Sequence, residues 1–244
     1  MRSGARRRFD TWSTERVGTR RVVSRSLRGG SRGMGRQTIV RLAALGYAVV
    51  VNYLHDQRTA ESAVEAVLEA RGAAVAIRAD VADVLDVERL FAQTIETFGA
   101  VDAVVHGVRG HVAPAPLAEL ALEDFDEMCR ANIRATFMVH KMAARQLRSG
   151  GAVVNLFSSV DTAALPTYGG YAITAAAVDA LTRVLAHTLR ERDITVNAVS
   201  VAIDEVRSPS RVAEVVAYLL GDEGHGITGP VIDLDDRPSV EVES

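Results

Sequence analysis

A glycine-rich turn at residues 29–35 constrains the fold of this chain more than any other stretch. It reads Gly-Gly-Ser-Arg-Gly-Met-Gly and leads into a helix-like segment, residues 36–45, and then into the apolar run 47–51. A turn, a helix and a buried strand in this order form half of a mononucleotide-binding unit. Glycine suits such a turn because the backbone bends tightly and lets a pyrophosphate approach the N–H groups of the helix. A glycine cluster alone is also typical of a plain surface turn, so the prediction depends on the segments that follow.

Strand-like and helix-like segments alternate regularly after this turn. Short apolar runs rich in valine predict buried parallel strands, and apolar residues spaced three or four apart predict helices between them. Short links between the two kinds of segment indicate right-handed crossovers within one sheet. We therefore predict an α/β fold, a Rossmann-like doubly wound parallel sheet of about seven strands with helices on both faces, in a single domain. The predicted strands are 49–52, 73–77, 101–105, 152–157, 194–199 and 231–234, and the predicted helices are 36–45, 59–71, 84–98, 123–147, 168–190 and 211–220.

The strand that should precede the glycine turn has an unfavourable sequence. Residues 21–28 begin with Val22-Val23, but serines and arginines fill most of the remaining positions. A central parallel strand is buried on both faces and normally reads as a continuous apolar run. We expect either a short, distorted strand or a segment that is not a faithful first strand.

The charge distribution sets the N-terminal segment apart. The 244-residue chain has a formal net charge of -3, yet residues 1–35 hold ten arginines against two acids, which leaves -11 for the rest. Residues 1–20 lack apolar periodicity and the apolar core of a secretory signal, so we predict a disordered extension before a domain that spans 21–244. A transit peptide or nucleic-acid contacts through the arginines are alternatives. Only Phe9 and Trp12 could stack on bases, so no nucleic-acid partner is expected.

Cysteine usage and hydropathy indicate the compartment. Cys129 is the only cysteine, which excludes an intramolecular disulfide and fits a reducing compartment, so we expect a cytoplasmic location. No run approaches the roughly 20 apolar residues that span a membrane. Neither a membrane association nor a metal site is predicted.

Six landmarks lie in chain order between about Val22 and Asp235. They are Gly29-x3-Gly33-x-Gly35, Asp80-Val81, Asn132, Ser158 or Ser159 followed by Tyr171, residues 196–199 (Val-Asn-Ala-Val) and residues 227–229 (Ile-Thr-Gly). Together they give this stretch a resemblance to the short-chain dehydrogenase/reductase family, close to its ketoacyl-reductase-like members. The resemblance implies a nicotinamide cofactor along the carboxyl ends of the strands and redox chemistry on a carbonyl or alcohol of a small-molecule or acyl substrate. It also implies a homodimer or homotetramer through the Asn132 and Tyr171 helices, with a hetero-oligomer as an open alternative.

The same resemblance implies an incomplete catalytic set. Tyr171 is the implied acid–base group, and Asn132 a supporting residue. Ser158 precedes Tyr171 by the family's usual thirteen residues and is the better candidate to hold the substrate oxygen, while Ser159 stays an alternative. The family's lysine, four residues after the tyrosine, is Ala175 in this chain. A phenol with a pKa near ~10 is a poor acid–base catalyst at neutral pH unless a nearby cation stabilises its anion.

The predicted cofactor is NADP(H). NAD-selective members of such folds place an acid at the end of the second strand, where this chain has Asn52. Arg32 in the glycine turn can pair with a 2′-phosphate, and the alternative is a solvated surface arginine. The predicted cofactor-binding residues are Gly29, Ser31, Arg32, Gly33, Met34, Gly35, Asn52, Asp80 and Val81.

Further departures from the family pattern lie along the same cofactor path. The family's Asn-Asn-Ala-Gly is replaced by residues 106–109, which read His-Gly-Val-Arg, and its Pro-Gly by Val201-Ala202. An arginine at position 109 would crowd the cofactor or bind some other anion. Two interpretations therefore stay open. The chain is either an NADP(H)-linked oxidoreductase with an incomplete catalytic set, or a redox-inactive relative that serves as a non-redox enzyme or a pseudoenzyme subunit.

Overall fold

The computed structural model describes residues 21–25, 33–108, 114–159, 166–202 and 209–234. They form a seven-stranded parallel sheet in the order β3-β2-β1-β4-β5-β6-β7. The strands are β1 (Arg21–Arg25), β2 (Ala48–Tyr53), β3 (Ala73–Arg78), β4 (Val101–Gly107), β5 (Leu147–Ser159), β6 (Thr195–Ala202) and β7 (Val231–Asp233). The helices are α1 (Met34–Ala44), α2 (Gln57–Glu69), α3 (Val84–Phe98), α4 (Leu122–Met128), α5 (Ala135–Gln146), α6 (Gly169–Thr188) and α7 (Pro209–Leu220).

Two apolar clusters cover the two faces of the sheet, as a doubly wound fold requires. One packs α1, α2 and α7 through residues such as Leu42, Val67 and Val216. The other packs α3, α5 and α6 through residues such as Phe91 and Met138. Strand β2 contributes to both, because its successive valines point to opposite faces. The predicted fold class is confirmed.

The doubtful first strand is present and central, but short. β1 pairs with β2 along its five residues and with β4 at Val22, Val23 and Ser24. The two flanking strands present backbone N–H and C=O groups that need partners in the sheet interior, and β1 supplies them despite its polar sequence. The rest of the predicted segment, residues 26–28, and the predicted extension 1–20 lie outside the described residues.

The predicted continuous helix over 123–147 is wrong in one respect. Residues Cys129–Arg134 form a π-helical turn between α4 and α5, and Asn132 lies within it. The helix also ends earlier, because β5 begins at Leu147, which pairs with Val101 before a register shift. The Arg192 guanidinium donates hydrogen bonds to the carbonyl oxygens of Ala144 and Leu147 and so fixes this helix end.

None of the helices in the described ranges is long and apolar enough to cross a membrane.

Candidate functional site

The strand order reverses between β1 and β4 at the carboxyl ends of the strands. Open α/β sheets bind ligands at such a point. Helix α1 follows β1 there, with Gly33 as its N-cap, Met34 partly buried against the core and Gly35 buried. Among the described residues, no side chain caps this helix, and its first turn holds no acid. Its N–H groups therefore present a positive end at this edge of the sheet. The other predicted residues of the turn, Gly29, Ser31 and Arg32, lie outside the described residues.

Tyr171 and Ser158 meet at the end of β5. Tyr171 lies in the first turn of α6 and is only 3% exposed. Its phenol oxygen accepts a hydrogen bond of 2.8 Å from the Ser158 backbone N–H. The Ser159 hydroxyl is buried without a hydrogen-bond partner among the described residues. The structure thus brings Ser158 to the phenol, which is the serine that the thirteen-residue spacing favours.

Burial makes Tyr171 a weaker acid than an exposed tyrosine. Removal of the phenol from water raises its pKa above the ordinary value near ~10, because the charged phenolate loses its solvation. The hydrogen bonds from Ser158 oppose this effect and lower the pKa in part. A phenolate formed here would be stabilised by the Ser158 N–H.

An apolar cluster occupies the position where the family's lysine would lie. Ala175 is 9% exposed and packs with Tyr171 and Met128. Leu120, Phe125 and Phe157 pack around these three residues. The chain's single lysine, Lys141, lies on α5 instead.

Gly170 shows how tightly this cluster is packed. A Cβ at that position would lie 2.6 Å from Leu120 Cδ2 and 2.8 Å from Met128 Cε. The residue before the tyrosine must therefore be small, unless those two side chains move.

Asn132 belongs to a buried hydrogen-bond chain that ends on the backbone of Tyr171. Its Nδ2 donates to Thr174 Oγ1 over 3.0 Å, and that hydroxyl donates to the Tyr171 carbonyl over 2.8 Å. On the other side, Thr136 Oγ1 donates to the Asn132 carbonyl at 2.6 Å and accepts from His106 Nε2 at 3.0 Å. The chain joins β4, the π-helical turn and α6. Sequence reasoning missed Thr174 and Thr136, although their positions three after Tyr171 and four after Asn132 are the available signal.

Asn52 at the end of β2 is engaged with the neighbouring strand. It is 2% exposed, and its Nδ2 donates to the carbonyl oxygens of Ala79 at 2.9 Å and Ile77 at 3.3 Å. The side-chain amide of Asn52, a predicted cofactor-binding residue, therefore holds the ends of β2 and β3 together.

Asp80 and Val81 form a rigid loop after β3. Val81 is 2% exposed, and an Asp80 carboxylate oxygen accepts the Ala82 N–H at 3.0 Å. The other carboxylate oxygen accepts from Arg130 Nη2 at 2.6 Å. Sequence reasoning missed Arg130, because a contact across 50 residues leaves no local pattern.

The altered segments of the cofactor path are described in part. Val108 is 6% exposed after β4, and Val201 is 5% exposed in β6, so both pack inward. Arg109 lies outside the described residues. Within the described ranges, no group of three or more His, Cys, Asp or Glu side chains is placed to hold a metal ion.

Comparisons with known proteins give a consistent result. Residues 29–205 match the family model described as Enoyl-(Acyl carrier protein) reductase. An uncharacterized oxidoreductase of Methylorubrum extorquens is 30% identical over 230 residues, which cover 84% of this chain and 92% of the relative. The hydroxynaphthalene reductase-like protein Arp2 of Metarhizium majus is 38% identical over 174 residues, 70% of this chain but only 64% of Arp2. The crystal structure of a short chain dehydrogenase from Burkholderia cenocepacia in complex with NADP superposes with a TM-score of 0.76 at 30% identity, covering 89% of this chain and 96% of that one.

Proposed function

Because the chain belongs to the short-chain dehydrogenase/reductase family, we propose that it is an NADP(H)-linked oxidoreductase with an incomplete catalytic set. The reaction is the reduction of a carbonyl, or the reverse oxidation of an alcohol, on a small-molecule or acyl substrate. The contact between the Tyr171 phenol and Ser158 at the end of β5 carries this proposal.

The described residues fit a dinucleotide. The start of α1 has no side-chain cap from the described part of the chain and no acid in its first turn, which suits a pyrophosphate. NADP is bound in the similar Burkholderia cenocepacia structure. We propose that Arg32 binds the 2′-phosphate of the cofactor. The end of β2 carries Asn52 in place of the acid that NAD-selective members use to bind the ribose.

The chain's own residues move the proton. When bound, a reduced nicotinamide would supply the hydride that the carbonyl carbon needs. Tyr171 transfers its phenolic proton to the carbonyl oxygen, while the Ser158 hydroxyl holds that oxygen. The Ser158 N–H then stabilises the phenolate that remains, and Asn132 keeps the start of α6 in place through Thr174.

The apolar surroundings of Ala175 favour a second candidate. A raised pKa of Tyr171 with an alanine at the lysine position predicts slow proton transfer at neutral pH. The alternative is a redox-inactive relative that uses the same pocket as a non-redox enzyme or a pseudoenzyme subunit.

The proposal extends to location and assembly. We place the protein in the cytoplasm on the strength of its single cysteine. We also propose a homodimer or homotetramer through α5 and α6, with a hetero-oligomer as the alternative.

Titration with NADPH, NADP⁺ and NADH, followed by fluorescence and calorimetry, tests the cofactor assignment. If Arg32 binds the 2′-phosphate, NADPH binds about 10- to 100-fold more tightly than NADH, the value of one or two charge-assisted hydrogen bonds. Arg32→Ala then removes most of this preference. The matched control is Arg41→Ala at the opposite end of α1, where Arg41 pairs with Glu214. A wild type that binds neither nucleotide contradicts the assignment and supports the redox-inactive alternative.

A further inference from the structure

Strand β5 parts from one of its two neighbours at Ser158. Strand β4 ends at Gly107, and just beyond that end the Val108 N–H donates to the Leu156 carbonyl at 2.8 Å. Continued pairing would direct the Ser158 N–H to the Val108 carbonyl, because every second residue of a strand faces the same neighbour. The Ser158 N–H donates to the Tyr171 phenol oxygen instead. The phenol therefore takes the place of the next partner on β4.

The other neighbour, β6, stays paired with β5 past this point. The register joins Ser158 to Val201 and continues by one more pair. On β6, Ala198 and Ser200 form backbone hydrogen bonds with residues 230–234 on the side of β7. Val201 follows Ser200 and therefore directs its N–H and its carbonyl to β5, where they reach the residues before and after Ser158.

Only the backbone of Val201 bears on the tyrosine. The Val201 side chain is 5% exposed and belongs to the cluster that covers the α1, α2 and α7 face of the sheet. Tyr171 lies in a separate cluster with Met128 and Ala175. The short-chain dehydrogenase/reductase family carries proline at position 201, and proline has no N–H to donate to β5. Valine at this position thus adds a backbone donor beside Ser158.

We propose that Val201 is a positioning residue for the proposed reduction. Its N–H and carbonyl hold β5 on both sides of Ser158 after β4 has ended, which keeps the Ser158 N–H directed at the phenol oxygen. When the Tyr171 O–H bond breaks and the proton passes to the substrate oxygen, the phenolate keeps the electron pair and this N–H stabilises it. The backbone thereby supplies part of the stabilisation that a cation at position 175 would give. This inference rests on the proposed function, since the phenolate forms only in that reaction.

A first experiment needs no cofactor. Nuclear magnetic resonance compares the full-length wild type with Val201→Pro and Val201→Ala, and Tyr171→Phe identifies the signals. Val201→Pro should speed hydrogen exchange of the Ser158 amide about 10-fold and shift the Tyr171 Cζ signal, because the end of β5 is released on the β6 side. Val201→Ala loses buried methyl groups but keeps the N–H, so both signals should stay as in the wild type.

A second experiment separates positioning of the phenol from general damage to the site. NADPH-dependent reduction of a diketone is measured for Val201→Pro alone and in the Ala175→Lys background. Alone, the substitution should lower kcat about 10-fold with little change in KM, because the Ser158 N–H acts on the phenolate rather than on substrate binding. Ala175→Lys stabilises the same phenolate, so the loss in that background should be less than about 3-fold. Equal losses in the two backgrounds overturn the inference.

The resonance signals decide the matter where wild-type turnover is too slow to measure. A folded Val201→Pro protein with unchanged Ser158 exchange and an unchanged Tyr171 signal overturns the inference and leaves the proposed function intact. If Val201→Pro fails to fold, Val201→Pro combined with Ala202→Gly provides the test, because it introduces the pair that the family carries. A protein that shows the expected signals but binds no NADPH overturns the proposed function and, with it, the role of Val201 in a reduction.

Discussion

At the scale of single residues, the proposed reduction depends on the pair Tyr171 and Ala175. The two residues lie one helical turn apart and pack in the same apolar cluster. A cation at the second position would favour the phenolate, whereas the alanine leaves the Ser158 hydrogen bonds to oppose the burial that raises the pKa of Tyr171.

Ala175→Lys should therefore raise NADPH-dependent turnover of a generic diketone or ketoester. A positioned acid–base group contributes about 10²–10⁴-fold in rate. Tyr171→Phe in that background should abolish the gain, and Ala175→Met, which has similar length without charge, should show none. The rate at which NADPH absorbance falls in the steady state measures the turnover of each variant. If lysine alone has no effect, Arg109→Gly is the next change, because the family resemblance implies that an arginine at position 109 would crowd the cofactor. A wild type as fast as Ala175→Lys would mean that another group already supplies the missing charge.

A second prediction at this scale concerns acid stability. Burial lowers the pKa of His140 from 6.5 to about 4. The unfolded chain takes up a proton near pH 6.5, whereas the folded chain resists it, so stability is complete above pH 6.5 and falls towards pH 4. The loss is about 3 kcal/mol. His140 also donates through Nε2 to Asn155 Oδ1 at 3.1 Å, and its Nδ1 has no hydrogen-bond partner among the described residues.

Urea unfolding at pH 7 and pH 4.5 measures this loss. His140→Gln should be less stable at pH 7 but should lose less on acidification than the wild type. His187→Gln, which changes an exposed histidine on α6, should keep the wild-type loss. Equal losses in all three proteins would show that His140 is not the responsible group.

At the scale of elements, the π-helical turn is the feature that links the tyrosine helix to the sheet. Asn132 is fully buried in that turn and bridges to α6 through Thr174. Its backbone carbonyl accepts a hydrogen bond from the Thr136 hydroxyl, and that hydroxyl accepts a hydrogen bond from His106 on β4. Loss of one member of this chain removes a hydrogen bond from a buried polar partner.

Thr174→Val should thus lower the free energy of unfolding by about 1–3 kcal/mol, since the buried hydrogen bonds of the Thr174 hydroxyl to Asn132 Nδ2 and to the Tyr171 carbonyl are both lost. Thr188→Val on the same helix is the matched control, because its exposed hydroxyl bonds only to the Val184 carbonyl. That variant should change stability by less than about 0.5 kcal/mol. Chemical denaturation checks both, and a control as destabilised as Thr174→Val would contradict the bridging role.

Elements with local signals were predictable from the sequence, and those fixed by distant contacts were not. The α3 bounds, Val84–Phe98, agree with the prediction because Asp83 caps the start and Gly99 ends the helix in a left-handed conformation. The π-helical turn has no such signal. β1 was hard to predict because its sequence is polar and its central position is set by pairing with β2 and β4. At the candidate site, spacing pointed to Ser158, whereas the Asp80–Arg130 pair joins residues 50 positions apart.

At the scale of the whole molecule, the outer face of the helices has the properties of a contact surface. A groove of about 890 Å³ there is lined in part by Ile133, Phe137 and Leu181. Phe137 is 52% exposed, and Val184 on the neighbouring helix is 64% exposed. Large apolar side chains grouped on one face favour association with another protein surface.

Phe137→Glu should therefore reduce the solution mass, because a charge buried in an apolar interface costs several kcal/mol unless it is paired. Leu68→Glu is the control, since Leu68 is 48% exposed on α2, which packs against the opposite face of the sheet. Light scattering coupled to size-exclusion chromatography measures both. A wild type that elutes as a monomer would contradict the proposed assembly.

Gly170 is a point from which the packing around the tyrosine can be altered. Any side chain at that position would push on Leu120 and Met128, which pack in the same cluster as Ala175. Gly170→Ala would displace both side chains, whereas smaller residues at positions 120 and 128 would make room beside Tyr171. A combinatorial library at these three positions would therefore vary the surroundings of the phenol without changing a residue of the sheet.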